Sequence, residues 1–188
     1  LQDRYRVHRL WEDPLTDDNR QRLATSVKGI VTEGLADQKL IEAFPNVGII
    51  SSFGVGYDRV DLDFATTKGL QVTNTPGVLT DDVADMAMML LLASSRGLCV
   101  GDRMVRQGKF QEGFLLLTRH VYGKRLGILG MGRIGQAIAR RAEAFRLNVA
   151  YHGPREKPGL VYPYFSNLEE IAAESDYLVV SCPGGDTP

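Results

Sequence analysis

Two cysteines in 188 residues are too few for a disulfide framework, and Cys99 and Cys182 stand alone, with neither metal-ligand nor redox spacing. Both read as buried thiols in a reducing compartment. Charge of neither sign is in excess. The 22 Lys+Arg against 23 Asp+Glu leave a formal charge of −1, which excludes a general affinity for nucleic acid or for an acidic membrane surface. Long apolar runs are missing as well: the longest, residues 86–93, has eight residues against the roughly 20 that span a bilayer. No membrane segment is expected. Residues 1–25 alternate charge and apolarity without an apolar h-region or a small-residue cleavage site, so no secretion signal is read there. There is no internal repeat and no low-complexity tract. What remains is a composition typical of globular chains, and a cytoplasmic location is the expectation from it.

Short β-rich runs alternate with helical ones: YRVHRLW, DDNRQRLATSV, GIVTEG, DQKLIEAF, VGIISSFG, VDLDFATTKG, LQVTNT. Such alternation predicts βα units and a parallel sheet, an α/β fold. Gly29-Ile30-Val31 and Gly48-Ile49-Ile50 are apolar at successive positions, as in strands covered on both faces. Thr80, ahead of Asp81 and Asp82, stands where an N-cap and an acidic first turn belong. The helix it opens, VADMAMMLLLASSR, is apolar around most of its circumference and is expected to be buried between domains or against a second subunit. Its methionines, with Met104 beyond them, read as packing rather than a cofactor site. After a loosely patterned stretch, residues 106–124, a second βα series begins. The expected boundary lies near 98–101, giving domains 1–98, with the long helix, and 99–188.

The second series opens on GILGMGRIGQAIA, residues 127–139. It places Gly130, Gly132 and Gly135 in G-x-G-x-x-G spacing between an apolar strand and a helix. In that context the first glycine makes the tight turn, the second lets the backbone approach a pyrophosphate, and the third lets helix and strand pack closely. Phosphates then lie on the free N–H groups of Met131, Gly132, Arg133, Ile134 and Gly135 at the positive end of the helix dipole. The plain alternative is a tight βα turn with incidental glycines.

An Asp or Glu about 20 residues beyond the glycines would hydrogen-bond the ribose 2′-OH of NAD. The strand-end position is instead Gly153, followed by Pro154, Arg155, Glu156 and Lys157. Arg155 and Lys157 suit a 2′-phosphate, so NADP(H) is favoured over NAD(H); the counter-reading has Glu156 supply the acid. His152 either bonds near the phosphate or is a solvated strand-end residue.

GKRLGILGMGRIGQAIARRAEAF, preceded by SSFGVGYDRVD and VTNTPGVLTDDVADMAM, resembles the D-2-hydroxyacid dehydrogenase family over essentially the whole chain. The missing strand-end acid and the CPGGDTP segment resemble its NADPH-preferring branch of glyoxylate/hydroxypyruvate reductases and hydroxyphenylpyruvate reductases. The resemblance implies two Rossmann/flavodoxin-like parallel-sheet domains joined by a long buried helix and flanking a cleft, a homodimer through that helix (residues 81–97), and NADPH-dependent hydride transfer to a small 2-oxoacid. It assigns Val55 and Gly56 to a turn whose N–H groups hold the substrate carboxylate, a role an anion-binding nest can fill; the alternative is a plain strand-to-helix turn. It sets Thr80 beside the nicotinamide, and Cys182 and Pro183 beside the adenine, with Gly184-Gly185 departing from the commoner Leu-Thr. Pocket walls are expected around Phe53, Tyr57 and residues 110–114, although Phe53 and Tyr57 are equally compatible with core.

The family's catalytic Arg, proton-donating His and supporting carboxylate belong to segments beyond the strand ending at Cys182. His8, in the expected first strand, His120 and His152 do not match the catalytic position, so no catalytic residue is assigned in this chain. YRVHRLW resembles the family's second strand, Leu1 is not Met, and the sequence stops in a turn; it is expected to be part of a longer protein with sheet edges otherwise covered. Open alternatives are a phosphoglycerate- or hydroxyphenylpyruvate-type dehydrogenase and a corepressor-like protein that binds the dinucleotide to set its assembly.

Overall fold

In the computed structural model, which describes residues 4–113 and 117–184, the helices of the first half begin on side chains that accept backbone N–H groups. Thr16 accepts from Asn19 N–H at 3.3 Å while Asn19 Oδ1 accepts from Thr16 N–H at 2.7 Å, a reciprocal cap that opens α1 (Asp17–Ala24). Asp37 opens α2 (Gln38–Glu42) and Asp61 opens α3 (Leu62–Thr67), each accepting a backbone N–H at 2.9 Å. Between them run β1 (Gly29–Thr32), β2 (Ile49–Ser52) and β3 (Gln71–Thr73), a parallel sheet in the order β1-β2-β3. Its register aligns Ile30, Ile50 and Val72 on one face, against Leu23, Ile41, Phe44, Val60 and Ala65.

Two expectations fail in this unit. Residues 5–11 form no strand: Glu12 and Asp13 donate to the Arg9 carbonyl at 3.0 and 2.9 Å, closing a turn, and Tyr5 and Trp11 are exposed. Among the described residues the sheet is also not covered on both faces. Ile50 is fully buried, but Val31 is 61% exposed and Ile49 is exposed too, because α1, α2 and α3 supply their apolar residues to the other face.

The chain divides into the units Leu1–Pro76 and Gly77–Pro188, so the long helix α4 (Thr80–Ser95) goes with the second unit, ahead of the boundary expected at 98–101. Its inner residues Ala84, Met88 and Leu91 are buried in one cluster with Ala137, Ile138 and Ala142 of α6 (Arg133–Ala144). Asp81 and Asp85 of α4 both receive hydrogen bonds from Arg141 of α6, which hold that guanidinium protonated and raise its pKa, Asp85 foremost. The helix is not buried all round: Val83, Met86, Met89 and Leu90 stay exposed. Nor does Thr80 cap it; Leu79 occupies the cap position without a side-chain bond, and Thr80 is the first helical residue. The loosely patterned stretch contains the end of α5 (Leu98–Arg106) and a 3₁₀ turn at Lys109–Gln111.

The second sheet pairs β6 (Tyr164–Phe165), β5 (Asn148–His152), β4 (Arg125–Leu129) and β7 (Tyr177–Val180), all parallel, in the order β6-β5-β4-β7. Its central strand β4 is buried at successive residues, Leu126 and Ile128 completely. A Cβ on Gly127 would stand 2.7 Å from Leu178 Cδ2 and 3.1 Å from Ile171 Cγ1, so α7 (Leu168–Glu174) closes the face opposite α6. The chain runs outward from β4 to β6 and returns to β7 on the other side. Ligands in such sheets bind at this reversal, beyond the carboxyl ends of β4 and β7.

Candidate dinucleotide-binding site

Gly130 directly follows β4 with φ 95°, a conformation that favours glycine. A Cβ there would lie 2.6 Å from the Cys182 nitrogen and 2.8 Å from its Cα. The turn after β7 therefore presses on the glycine loop, and Ser181 fastens the contact: its hydroxyl donates to the Gly130 carbonyl at 2.6 Å. On the other side the Gly130 N–H donates to the His152 carbonyl at 2.9 Å, and Gln136 Nε2 donates to the Met131 carbonyl at 3.2 Å. Gly135 packs so tightly that any Cβ would strike the Gly130 carbonyl. Gly132 differs, since a Cβ there would meet nothing within 4 Å. Helix α6 starts at Arg133 without a side-chain cap, and no hydrogen bond among the described residues uses the N–H groups of Met131, Gly132, Arg133, Ile134 or Gly135. The Met131 side chain is buried, Ile134 half-buried and Arg133 exposed. The loop thus presents a row of free donors and an open approach at a helix N-terminus, which suits a pyrophosphate.

Beyond β5, Gly153 offers open space, so its lack of an acidic side chain is not forced by sterics. Pro154, Arg155, Glu156 and Lys157 are exposed, and among the described residues neither Arg155 nor Lys157 joins an ion pair. His152 is half-buried and donates from Nδ1 to the Phe165 carbonyl at 2.9 Å, since a carbonyl only accepts; it is thus tied to β6 rather than solvated.

Residues 88–187 match the family model described as D-isomer specific 2-hydroxyacid dehydrogenase, NAD binding domain. The chain belongs to this family. It is 45% identical over 185 residues to hydroxyphenylpyruvate reductase of Plectranthus scutellarioides, a match covering 97% of this chain and 59% of the relative. Glyoxylate/hydroxypyruvate reductase A of Arabidopsis thaliana is 44% identical, with the same coverage of 97% and 59%. Among solved structures, the NADPH-dependent glyoxylate/hydroxypyruvate reductase of Sinorhizobium meliloti in complex with NADP and malonate superposes with a TM-score of 0.84 at 41% identity, over 97% of this chain and 56% of that one. The 2-hydroxyacid dehydrogenase of Ketogulonicigenium vulgare Y25 gives a TM-score of 0.87 at 38% identity, over 96% and 58%. The chain spans a little under three fifths of the length of the curated relatives it matches.

The other predicted positions divide by unit. Within Leu1–Pro76, Val55 is half-buried and Gly56 exposed in the loop after β2. Asn74 Nδ2 donates to the Val55 carbonyl at 2.8 Å, Ser52 Oγ to the Gly56 carbonyl at 3.1 Å, and Thr75 N–H to the Gly54 carbonyl at 2.9 Å. With the carbonyls so engaged, the N–H groups of Gly54, Val55 and Gly56 enter no hydrogen bond among the described residues. Neither Gly54 nor Gly56 adopts a positive φ. Phe53 and Tyr57 are exposed, not core.

Within Gly77–Pro188, Thr80 is half-buried at the start of α4, and Cys182 and Pro183 lie exposed beside the glycine loop. Both cysteines are exposed rather than buried, because α5 buries none of its residues and Cys182 meets Gly130 through its backbone. Phe110 is exposed, while Phe114 and Gly185 lie outside the described residues. No single helix among the described residues is long and apolar enough to cross a membrane. Sequence reasoning missed Ser181, Asn74 and Ser52. Each flanks a recognised loop; Ser181 and Asn74 act on partners distant along the chain, and Ser52 on a carbonyl four residues away that only the folded turn brings within reach.

Proposed function

We propose that this chain provides the cofactor cradle and the substrate-carboxylate loop of an NADPH-dependent reductase that converts a small 2-oxoacid, glyoxylate or hydroxypyruvate, to the 2-hydroxyacid. The observation that carries the reading is the strand end after β5: an uncharged, sterically open Gly153 followed by the cations Arg155 and Lys157, which join no ion pair among the described residues, one strand away from the glycine loop, whose helix starts without a side-chain cap. The chemistry supplied by the bound cofactor is hydride transfer to the keto carbon. Met131, Gly132, Arg133, Ile134 and Gly135 hold the pyrophosphate through backbone N–H groups. Gly153 and Pro154 give room for the ribose, and Arg155 and Lys157 pair with the 2′-phosphate. Cys182 and Pro183 border the adenine, and Thr80 borders the nicotinamide. Val55 and Gly56 orient the substrate by its carboxylate through the free N–H groups of their loop. No residue of this chain is assigned to proton transfer. The exposed apolar face of α4 (Val83, Met86, Met89, Leu90) is covered by a second copy, making a homodimer, and the enzyme works in the cytoplasm, where its exposed cysteines stay reduced.

The kinship with a hydroxyphenylpyruvate reductase supports a second substrate reading, a 2-oxoacid with an aromatic side chain. Steady-state NADPH oxidation by the protein carrying this chain, with glyoxylate, hydroxypyruvate and hydroxyphenylpyruvate in parallel, decides between them by kcat/KM. Replacing Arg155 with Ala is expected to weaken NADPH about 10- to 100-fold and leave NADH unchanged, the scale of one charge-assisted hydrogen-bond pair. An unchanged NADPH to NADH preference would sink the cofactor assignment.

A further inference from the structure

The five-residue segment 153–157 is fastened at both ends by hydroxyl groups that rise from the sheet beneath it. At the entry, Tyr164 Oη donates to the Gly153 carbonyl at 3.0 Å. At the exit, the Lys157 N–H donates to Tyr151 Oη at 2.8 Å. Tyr151 and Tyr164 are register partners on β5 and β6, with ring centroids 5.3 Å apart, and Tyr151 is 1% exposed. A buried tyrosine needs a partner for its hydroxyl, but any nearby acceptor or donor would serve. Here the two hydroxyls take backbone atoms at opposite ends of one short loop, and Arg155 sits between the fixed ends.

Building on the NADPH reading above, we infer that Tyr151 and Tyr164 are positioning residues for 2′-phosphate selection: they hold the loop so that Arg155 and Lys157 meet the phosphate without first being ordered. A long side chain on a free loop loses conformational entropy when it grips an anion, and a loop already fixed avoids part of that loss. Neither tyrosine touches the phosphate in this scheme; each acts through Arg155 and Lys157.

The test uses Tyr151→Phe and Tyr164→Phe, which keep the rings and remove only the hydroxyls. Dissociation constants for NADPH and NADH are measured by fluorescence titration, together with hydrogen exchange at the Lys157 amide without cofactor. Each variant is expected to weaken NADPH about five-fold, the scale of one hydrogen bond, with NADH held within about two-fold. In Tyr151→Phe the Lys157 amide loses protection. In an Arg155→Ala/Lys157→Ala background, Tyr151→Phe no longer changes the ratio. Equal weakening of both cofactors, or an unchanged ratio with Lys157 still protected, overturns the inference while the cofactor reading stands. If the unsubstituted protein itself prefers NADH, the cofactor reading fails and this inference falls with it.

Discussion

The two parallel sheets are written in similar residues and buried differently. In the second, β4 is covered on both sides, by α6 and α7, and its residues are buried in succession. In the first, β1 and β2 alternate, with Ile30 and Ile50 inward and Val31 and Ile49 outward, although the sequence is apolar at successive positions. Continuous apolarity thus marks a strand able to be covered twice. Whether it is covered depends on helices elsewhere in the chain.

The largest expected effect contrasts these sheets directly. Leu126→Ala or Ile128→Ala empties a fully buried site and is expected to cost about 2–5 kcal/mol in urea unfolding. Val31→Thr on the open face is expected to shift stability by less than about 0.5 kcal/mol. Comparable losses at both sites would mean that Val31 is packed after all.

Within the glycine loop the contrast lies between neighbours. Gly135→Ala drives a Cβ into the Gly130 carbonyl, so both stability, by about 1–3 kcal/mol, and dinucleotide affinity should fall. Gly132→Ala meets no protein atom, so thermal unfolding should be unmoved while NADPH weakens. A binding loss without a stability loss at Gly132 separates cradle from packing.

Gly153→Asp adds a carboxylate in open space beside the proposed 2′-phosphate position. It should reverse the preference toward NADH, about 10-fold or more, because it repels the phosphate and accepts from a ribose hydroxyl.

The smallest effect is acid sensitivity. Asp176 accepts the Arg125 N–H at 2.9 Å and also pairs with the Arg125 guanidinium, and the backbone bond foremost lowers its pKa. A depressed carboxylate stabilises the fold above its unfolded pKa, about 3.9, and that contribution is lost as pH falls through the folded value. Asp176→Asn should therefore lower stability slightly at neutral pH and flatten the acid limb of the unfolding midpoint. Deepened acid sensitivity would contradict the assignment.

What the sequence made legible were features encoded within a few residues. The alternation of strands and helices, the G-x-G-x-x-G turn with its strand and helix, and the cations after Gly153 all rest on local spacing. The long helix shows where local reading ends. Its apolar circumference was plain, but the α6 residues that pack on one face lie far along the sequence, with Arg141 56 and 60 residues from its partners Asp85 and Asp81. YRVHRLW alternates as a strand does, yet its end closes a turn on the Arg9 carbonyl and the edge of β1 stays without a partner strand among the described residues. The cysteines read as buried from residue type alone, whereas Cys182 lends its backbone, not its sulfur, to the packing around Gly130.

The central claim is that the loops after β4 and β5 together form a site for a dinucleotide bearing a 2′-phosphate. Parallel titration of NADPH and NADH into the unsubstituted protein, at low and at moderate salt, tests it most directly. The account predicts tighter NADPH binding, with the difference shrinking as salt screens Arg155 and Lys157. Equal binding of the two, or tighter NADH, would contradict it.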